Sequence, residues 1–276
     1  MSLTTTRHPA RARIARLLAL ASITLGGVIG AALGLGVHVA EKTRMPAGSA
    51  RAAGTTQTTQ TTQTIVAVGD SITRGAGDLD VSGGWVTRLS EKLHAAYPTA
   101  AFAVRNAGLD GDTTAGVLAR LARDVLAAHP ALVIISSGTN DFDEDVPAAL
   151  YEERLRTLVG RLRASPRPPV VILAGLLPIA GQTPARLASE RAYNAIIRRT
   201  ATAARVGYLD LFDIWLALGP TYLRALRQDA EHPNPLGYEF LAGVTSTFLQ
   251  AGYLDGRGRI AAPATAPTCD VALCGP

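Results

Sequence analysis

The sequence predicts a three-layer α/β/α domain in which helices cover both faces of a mostly parallel, five-stranded sheet, and three observations carry that prediction. Short apolar runs recur at residues 65–68, 101–105, 132–136, 170–174 and 208–211. They are near-continuous instead of alternating, as strands buried on both faces read. Helical periodicity fills the intervals between them, and repeated strand–helix alternation means a parallel sheet. Finally, a 47% hydrophobic share with 18% charged residues supplies a full core and excludes disordered, collagen-like and disulfide-scaffold chains. The alternation makes one domain, placed at residues 64–257.

Three segments precede it. Residues 1–16 form a basic tip with Arg7, Arg11, Arg13 and Arg16. Residues 17–40 contain no formally charged side chain. As a helix they would span ~36 Å, enough for a ~30 Å hydrocarbon layer. A cleaved signal peptide has an apolar region of only ~7–15 residues and a small-x-small site. His38-Val39-Ala40 is a poor one, so an uncleaved transmembrane signal-anchor is preferred, with secretion after cleavage as the alternative. The leading arginines place the tip in the cytoplasm and the rest of the chain outside, periplasmic or on the cell surface. Residues 41–63, with Thr-Thr-Gln repeated three times at 55–63, show no apolar periodicity and read as a flexible tether. The net charge of +5 belongs to this end of the chain. Seven Lys/Arg stand against Glu41 alone in residues 1–64, and the remainder is near neutral at 20 against 21. A near-neutral body is no polyanion binder, so nucleic acid is excluded as a partner.

Within the domain, Trp85, Leu89 and Leu93 mark the apolar face of the first long helix. Leu118, Leu121 and Val125 mark another, and Tyr151, Leu155, Leu158, Val159 and Leu162 a third. The tail, residues 258–276, holds the two cysteines, Cys269 and Cys274. Outside the cytoplasm they could close a small disulfide loop or remain free thiols. Two cysteines with no histidine near them do not complete a zinc site.

In an open parallel sheet, ligands bind beyond the carboxyl ends of the strands. Four segments fall there. Gly69-Asp70-Ser71-Ile72-Thr73 follows the first strand, and Asn106-Ala107-Gly108-Leu109-Asp110-Gly111-Asp112-Thr113 the second. Ser137-Gly138-Thr139-Asn140-Asp141 follows the third, and Asp229-Ala230-Glu231-His232-Pro233-Asn234 lies beyond the fifth. With these blocks in this order over most of residues 65–250, the chain resembles the SGNH (GDSL-type) serine hydrolases. The resemblance implies the flavodoxin-like SGNH hydrolase fold and an esterase, lipase or lysophospholipase-like activity that needs neither cofactor nor metal.

Each block then has a physical task. A serine hydroxyl is a weak nucleophile and needs a base within hydrogen-bond reach. His232 can be that base for Ser71, and Asp229, three residues earlier, can hold its other ring nitrogen. The oxyanion formed on attack needs fixed donors. Candidates are the backbone N–H groups of Ser71 and Gly111 and the side-chain amide of Asn140. Gly111 stands just before a helix start, with Asp112 or Thr113 as N-cap, where free N–H groups favour negative charge. His94 and His129 lie near helix C-termini and suit the dipole there; His8 and His38 precede the domain. The G-x-S-x-G elbow is absent, since Thr73 stands where its second glycine would be, and no Walker A, Rossmann or H-E-x-x-H pattern occurs.

Two features bear on substrate. The apolar run 175–181 after the fourth strand would offer a wall for an acyl chain, or be an ordinary buried strand end. Asp141, Asp143, Glu144 and Asp145 would repel anions if they rimmed the site, though a solvated helix entry explains them as well. The expected substrates are small-molecule, lipid or acylated-glycan esters, or thioesters, met by an acyl-enzyme on Ser71. O-acyl transfer or carbohydrate deacetylation with the same triad is the alternative, and a non-catalytic binding domain the lesser one.

Overall fold

The computed structural model describes residues 61–80, 83–263 and 268–269. Strands β1 (Gln63–Gly69), β2 (Phe102–Gly108), β3 (Leu132–Ser136), β4 (Val170–Ala174), β5 (Gly207–Leu209) and β6 (Thr268–Cys269) form one sheet ordered β2-β1-β3-β4-β5-β6. Every pairing is parallel. The first five strands stand in the expected flavodoxin-like order. The two-residue β6 lies in a stretch with no strand pattern and was not anticipated. The fifth strand is shorter than its apolar run: Asp210 caps the next helix through Asp213 N at 3.2 Å, and Leu211 is that helix's first residue.

The pleat of β1 shows why two helical layers form. Ile65 and Ala67 face one core, Val66 and Val68 the other, and all four are fully buried. On the first face lie α2 (Gly84–Ala96), with Trp85, Leu89 and Leu93, and α9 (Pro235–Gly252), with Leu241, Phe248 and Leu249. On the second lie α3 (Thr114–Arg120), α5 (Ala148–Arg163) and α6 (Pro184–Ala204). The five predicted apolar positions of α5 are the ones it buries. Short helices α1 (Ser71–Arg74), α4 (Thr139–Asp143), α7 (Leu211–Ala217) and α8 (Pro220–Ala225) sit in the connections.

The helix after β2 departs from its expected register. α3 widens into a π turn at Leu121–Val125 and tightens to a 3₁₀ turn at Leu126–Ala128. In a plain α-helix, residues four apart drift ~40° around the axis. The wide turn cancels that drift, so Val117, Leu121 and Val125 are all within 1% of full burial. Val117 therefore takes the core position expected of Leu118, which is only half-buried.

Gln63, at the start of β1, ties down residues beyond the domain end placed at 257: its amide donates to Gly258 O (2.9 Å) and accepts from Ile260 N (2.6 Å). No helix among the described residues is long and apolar enough to cross a membrane. The basic tip 1–16, the run 17–40, the tether as far as residue 60 and any Cys269–Cys274 pairing lie outside the described residues.

Candidate active site

β1 and β3 are neighbours, but the chain leaves β1 outward to β2 before returning to β3. Their following loops diverge, opening a crevice at the carboxyl edge of the sheet. Gly69 ends β1 there. A Cβ on it would lie 1.8 Å from Ser136 O and 2.5 Å from Thr73 Oγ1, so only glycine lets β1 and β3 close up at this point. Asp70 caps α1, its Oδ1 accepting Ile72 N at 3.0 Å, and Ser71 becomes the first residue of that helix. Burial pushes the Asp70 carboxyl up to about 7, against the opposing pull of hydrogen bonds from Ile72 N, the Thr139 side chain and Thr73 N.

The sequence-predicted triad is assembled. Ser71 Oγ lies 2.9 Å from His232 Nε2, and His232 Nδ1 lies 2.9 Å from Asp229 Oδ2. The other Asp229 oxygen accepts His232 N at 2.7 Å and Glu231 N at 2.8 Å, which folds residues 229–232 into a self-bonded turn. Burial works against the Asp229 charge, but the two N–H groups and the imidazole outweigh it and hold the carboxyl below its ordinary range. The turn runs into α9 through Asn234, whose side chain accepts Gly237 N at 3.0 Å, with Pro235 as first helical residue. His94 and His129 stand at helix ends, as expected, and not at this edge.

The three predicted oxyanion donors gather on the same edge. As the first N–H of a helix, that of Ser71 has no intrahelical partner. Gly111 has φ +68 with open space where a Cβ would stand, a conformation that suits glycine and leaves its backbone approachable. Thr113, not Asp112, is the cap of α3. Asn140 Nδ2 gives one hydrogen to Asp112 O at 2.9 Å, leaving its second for a ligand.

Several residues that hold this arrangement escape sequence reasoning. Asp141, grouped with a solvated acidic run, is fully buried and accepts Thr114 N and Thr114 Oγ1, both at 2.7 Å. It thereby locks the Asn140 helix to the start of α3. The buried Arg120 bonds Asp112 Oδ2 (2.6 Å) and Gly69 O (3.0 Å), tying the Gly111 loop to the end of β1. Thr114 lies 27 residues from Asp141 and Gly69 lies 51 from Arg120, so no local pattern shows these ties. Leu176 and Leu177 are 3% exposed and belong to the two cores, so this part of the run after β4 is a buried strand end, while Ile179 and Ala180 are half-buried and Gly181 is exposed. Among the described residues no group of His, Cys, Asp and Glu is arranged to hold a metal ion.

Comparison with known proteins agrees with this geometry. The model of the GDSL-like lipase/acylhydrolase family matches residues 67–240. Esterase TesA of Pseudomonas aeruginosa is 36% identical over 140 residues, covering 50% of this chain and 67% of that protein. The acetylxylan esterase of Geobacillus stearothermophilus is 30% identical over 196 residues, covering 63% and 88%. The crystal structure of that esterase, Axe2, superposes with a TM-score of 0.58 at 26% identity, covering 66% of this chain and 91% of its own. LAE5, an α/β hydrolase from a lake metagenome, gives 0.56 at 26% identity, covering 65% and 91%. Axe2 is also solved with alanine replacing a serine, an aspartate and a histidine, each described as a catalytic mutant, the last two three residues apart.

Proposed function

We propose, because this chain belongs to the GDSL-like lipase/acylhydrolase family, that its esterase chemistry runs through an acyl-enzyme on Ser71. Membership, with esterases among its relatives, makes the chain an ester-hydrolysing serine enzyme. The observation that carries the finer reading is the unbroken hydrogen-bond relay from Ser71 through His232 to Asp229 at the carboxyl edge of the sheet. His232 takes the Ser71 proton as Oγ attacks the ester carbonyl, and Asp229 keeps the imidazole oriented and steadies its positive charge. The N–H groups of Ser71 and Gly111 and the Asn140 amide receive the oxyanion. His232 then protonates the departing alcohol, and water, activated by the same imidazole, frees the acid. The spacing of the Axe2 aspartate and histidine matches that of Asp229 and His232 and supports these assignments.

The rim favours neutral esters. Glu231, beside His232, is pushed upward by burial and then by the nearby Asp143, so carboxylates crowd one side of the site. Arg186 bridges Asp143 and Asp145 there without making that side basic. An anionic leaving group would meet repulsion, whereas an acylated sugar or simple alcohol would not. Acetylated glycan is therefore the preferred substrate class, and acyl transfer to a sugar hydroxyl the second reading. The apolar run 17–40 supports export with the domain held outside the cytoplasm on an N-terminal anchor.

The test uses the purified full chain with nitrophenyl esters of increasing acyl length and with acetylated xylo-oligosaccharides. Acetyl esters should be hydrolysed fastest, Ser71→Ala should lower kcat by at least ~10⁴-fold, and a fluorophosphonate probe should label Ser71. Labelling at Ser136 or Ser137, the other serines at this edge, would overturn the nucleophile assignment.

A further inference from the structure

We propose that Arg227 is a positioning residue for the base: its buried guanidinium, bonded to three main-chain carbonyls, sets the Asp229–His232 turn against the loop that follows β4. The inference rests on the roles given above to Ser71, Asp229 and His232. Arg227 precedes the turn by two residues, is 9% exposed, and holds its guanidinium carbon 5.8 Å from the centre of the Trp215 ring. Nη1 donates to Ala230 O and Glu231 O, both at 2.9 Å, the two residues that separate Asp229 from His232. Nη2 donates to Pro178 O, beyond the end of β4. Two main-chain bonds run alongside, Gln228 N to His232 O at 2.9 Å and Ala180 N to Ala230 O at 2.8 Å.

A second charge grips the other end of the same peptide unit. Glu190 of α6, fully buried, accepts Ile179 N at 3.2 Å and the Gln182 amide at 2.7 Å. The Pro178 carbonyl and the Ile179 N–H belong to one peptide plane, so Arg227 and Glu190 clamp that plane from opposite sides. Burial pushes Glu190 up to about 7 and Arg227 below its ordinary value, while each one's charge favours the charged form of the other. A buried ionic arrangement of this sort is a poor source of stability, since apolar side chains of like volume commonly do as well. What an apolar side chain cannot do is bind three carbonyls. The turn keeps its shape through Asp229 in any case; Arg227, together with the Ala180–Ala230 bond, sets where the turn sits. A misplacement on the order of 1 Å in such a site lowers turnover by roughly 10²-fold.

The experiment is a double-mutant cycle in the full chain, with Arg227→Met, Arg227→Lys, His232→Ala and the combined variants, read as kcat and KM on a short-chain ester. Cooperative thermal unfolding of each variant is followed in parallel. Arg227→Met should lower kcat by ~10–100-fold with KM within about threefold of the parent, and Arg227→Lys should recover part of the loss. On the His232→Ala background the same change should alter residual turnover by less than about threefold, because the group it positions is gone. An undiminished penalty on that background, or a change confined to KM, would overturn the inference. If Arg227→Met fails to fold, the lysine variant carries the cycle with the same criteria. Full activity in His232→Ala alone would instead overturn the assignment of the base, and is read separately from the Arg227 terms.

Discussion

Replacing Asp70 by asparagine removes an ionisable group from a buried position beside Ser71 while keeping the side chain's shape. The Asp70 carboxyl is 2% exposed and is pushed from 3.8 to about 7, chiefly by burial. Between those values the native protein holds a proton that the unfolded chain has released. Its stabilising effect is complete below the unfolded value and is lost as pH rises through the folded one. At ~1.4 kcal/mol per pH unit, that interval is worth on the order of 4 kcal/mol, and structural relaxation would leave roughly half of it to be measured. Asparagine still offers an oxygen to Ile72 N and never ionises. Asp70→Asn should therefore melt with the parent near pH 4 and above it by ~4–8 °C near pH 9, at 2–4 °C per kcal/mol for a domain of this size. Calorimetric melting of both proteins at half-unit pH steps reads the difference directly. A gap that does not change with pH, or an asparagine variant that is the less stable at pH 9, would refute the argument.

Asn140→Ala should lower kcat by roughly 10²–10³-fold with little change in KM, since the amide meets a charge present only after attack. Asn140→Asp should be at least as damaging, and steady-state kinetics showing near-parental kcat for the aspartate variant would remove Asn140 from the oxyanion site. Gly69→Ala drives a Cβ to 1.8 Å from Ser136 O, a backbone atom that cannot yield without parting β1 from β3. It should cost more than about 3 kcal/mol, visible as a lower urea midpoint or loss of soluble protein, and an unchanged midpoint would contradict the packing described.

The sequence displayed the parts of this fold that depend on local pattern. Buried strands read as apolar runs, the α5 face followed helical spacing, and the residues after the strands stood out because few residue types do their chemistry. Asp229 and His232 were legible together since the turn that joins them spans only four residues and bonds to itself. Asp141 was not: the same carboxylate at the same sequence position would be solvated or buried according to whether Thr114 arrives from 27 residues away. Arg227 escaped for a related reason, because its acceptors are main-chain carbonyls, which every residue carries and no pattern marks, and so did the bond from Arg120 to Gly69 O. β6 is two residues long, too short for a period to show, and depends on the free edge of β5.

The bond between Ser71 and His232 joins residues 161 apart, and that separation has a consequence for how the molecule comes into being. Chain synthesis delivers the hydroxyl, the Gly111 loop and Asn140 long before the imidazole. A flexible loop of that length would resist closure by ~4–5 kcal/mol of entropy, so the pair meets only once the intervening strands have paired and α9 has docked on α2. A chain arrested before α9 thus carries His232 without the helix that anchors its turn. Damage that frays the C-terminal helix would silence the site while the sheet persisted. Hydrolysis is in this sense a gauge of assembly, since it needs both ends of the domain in place.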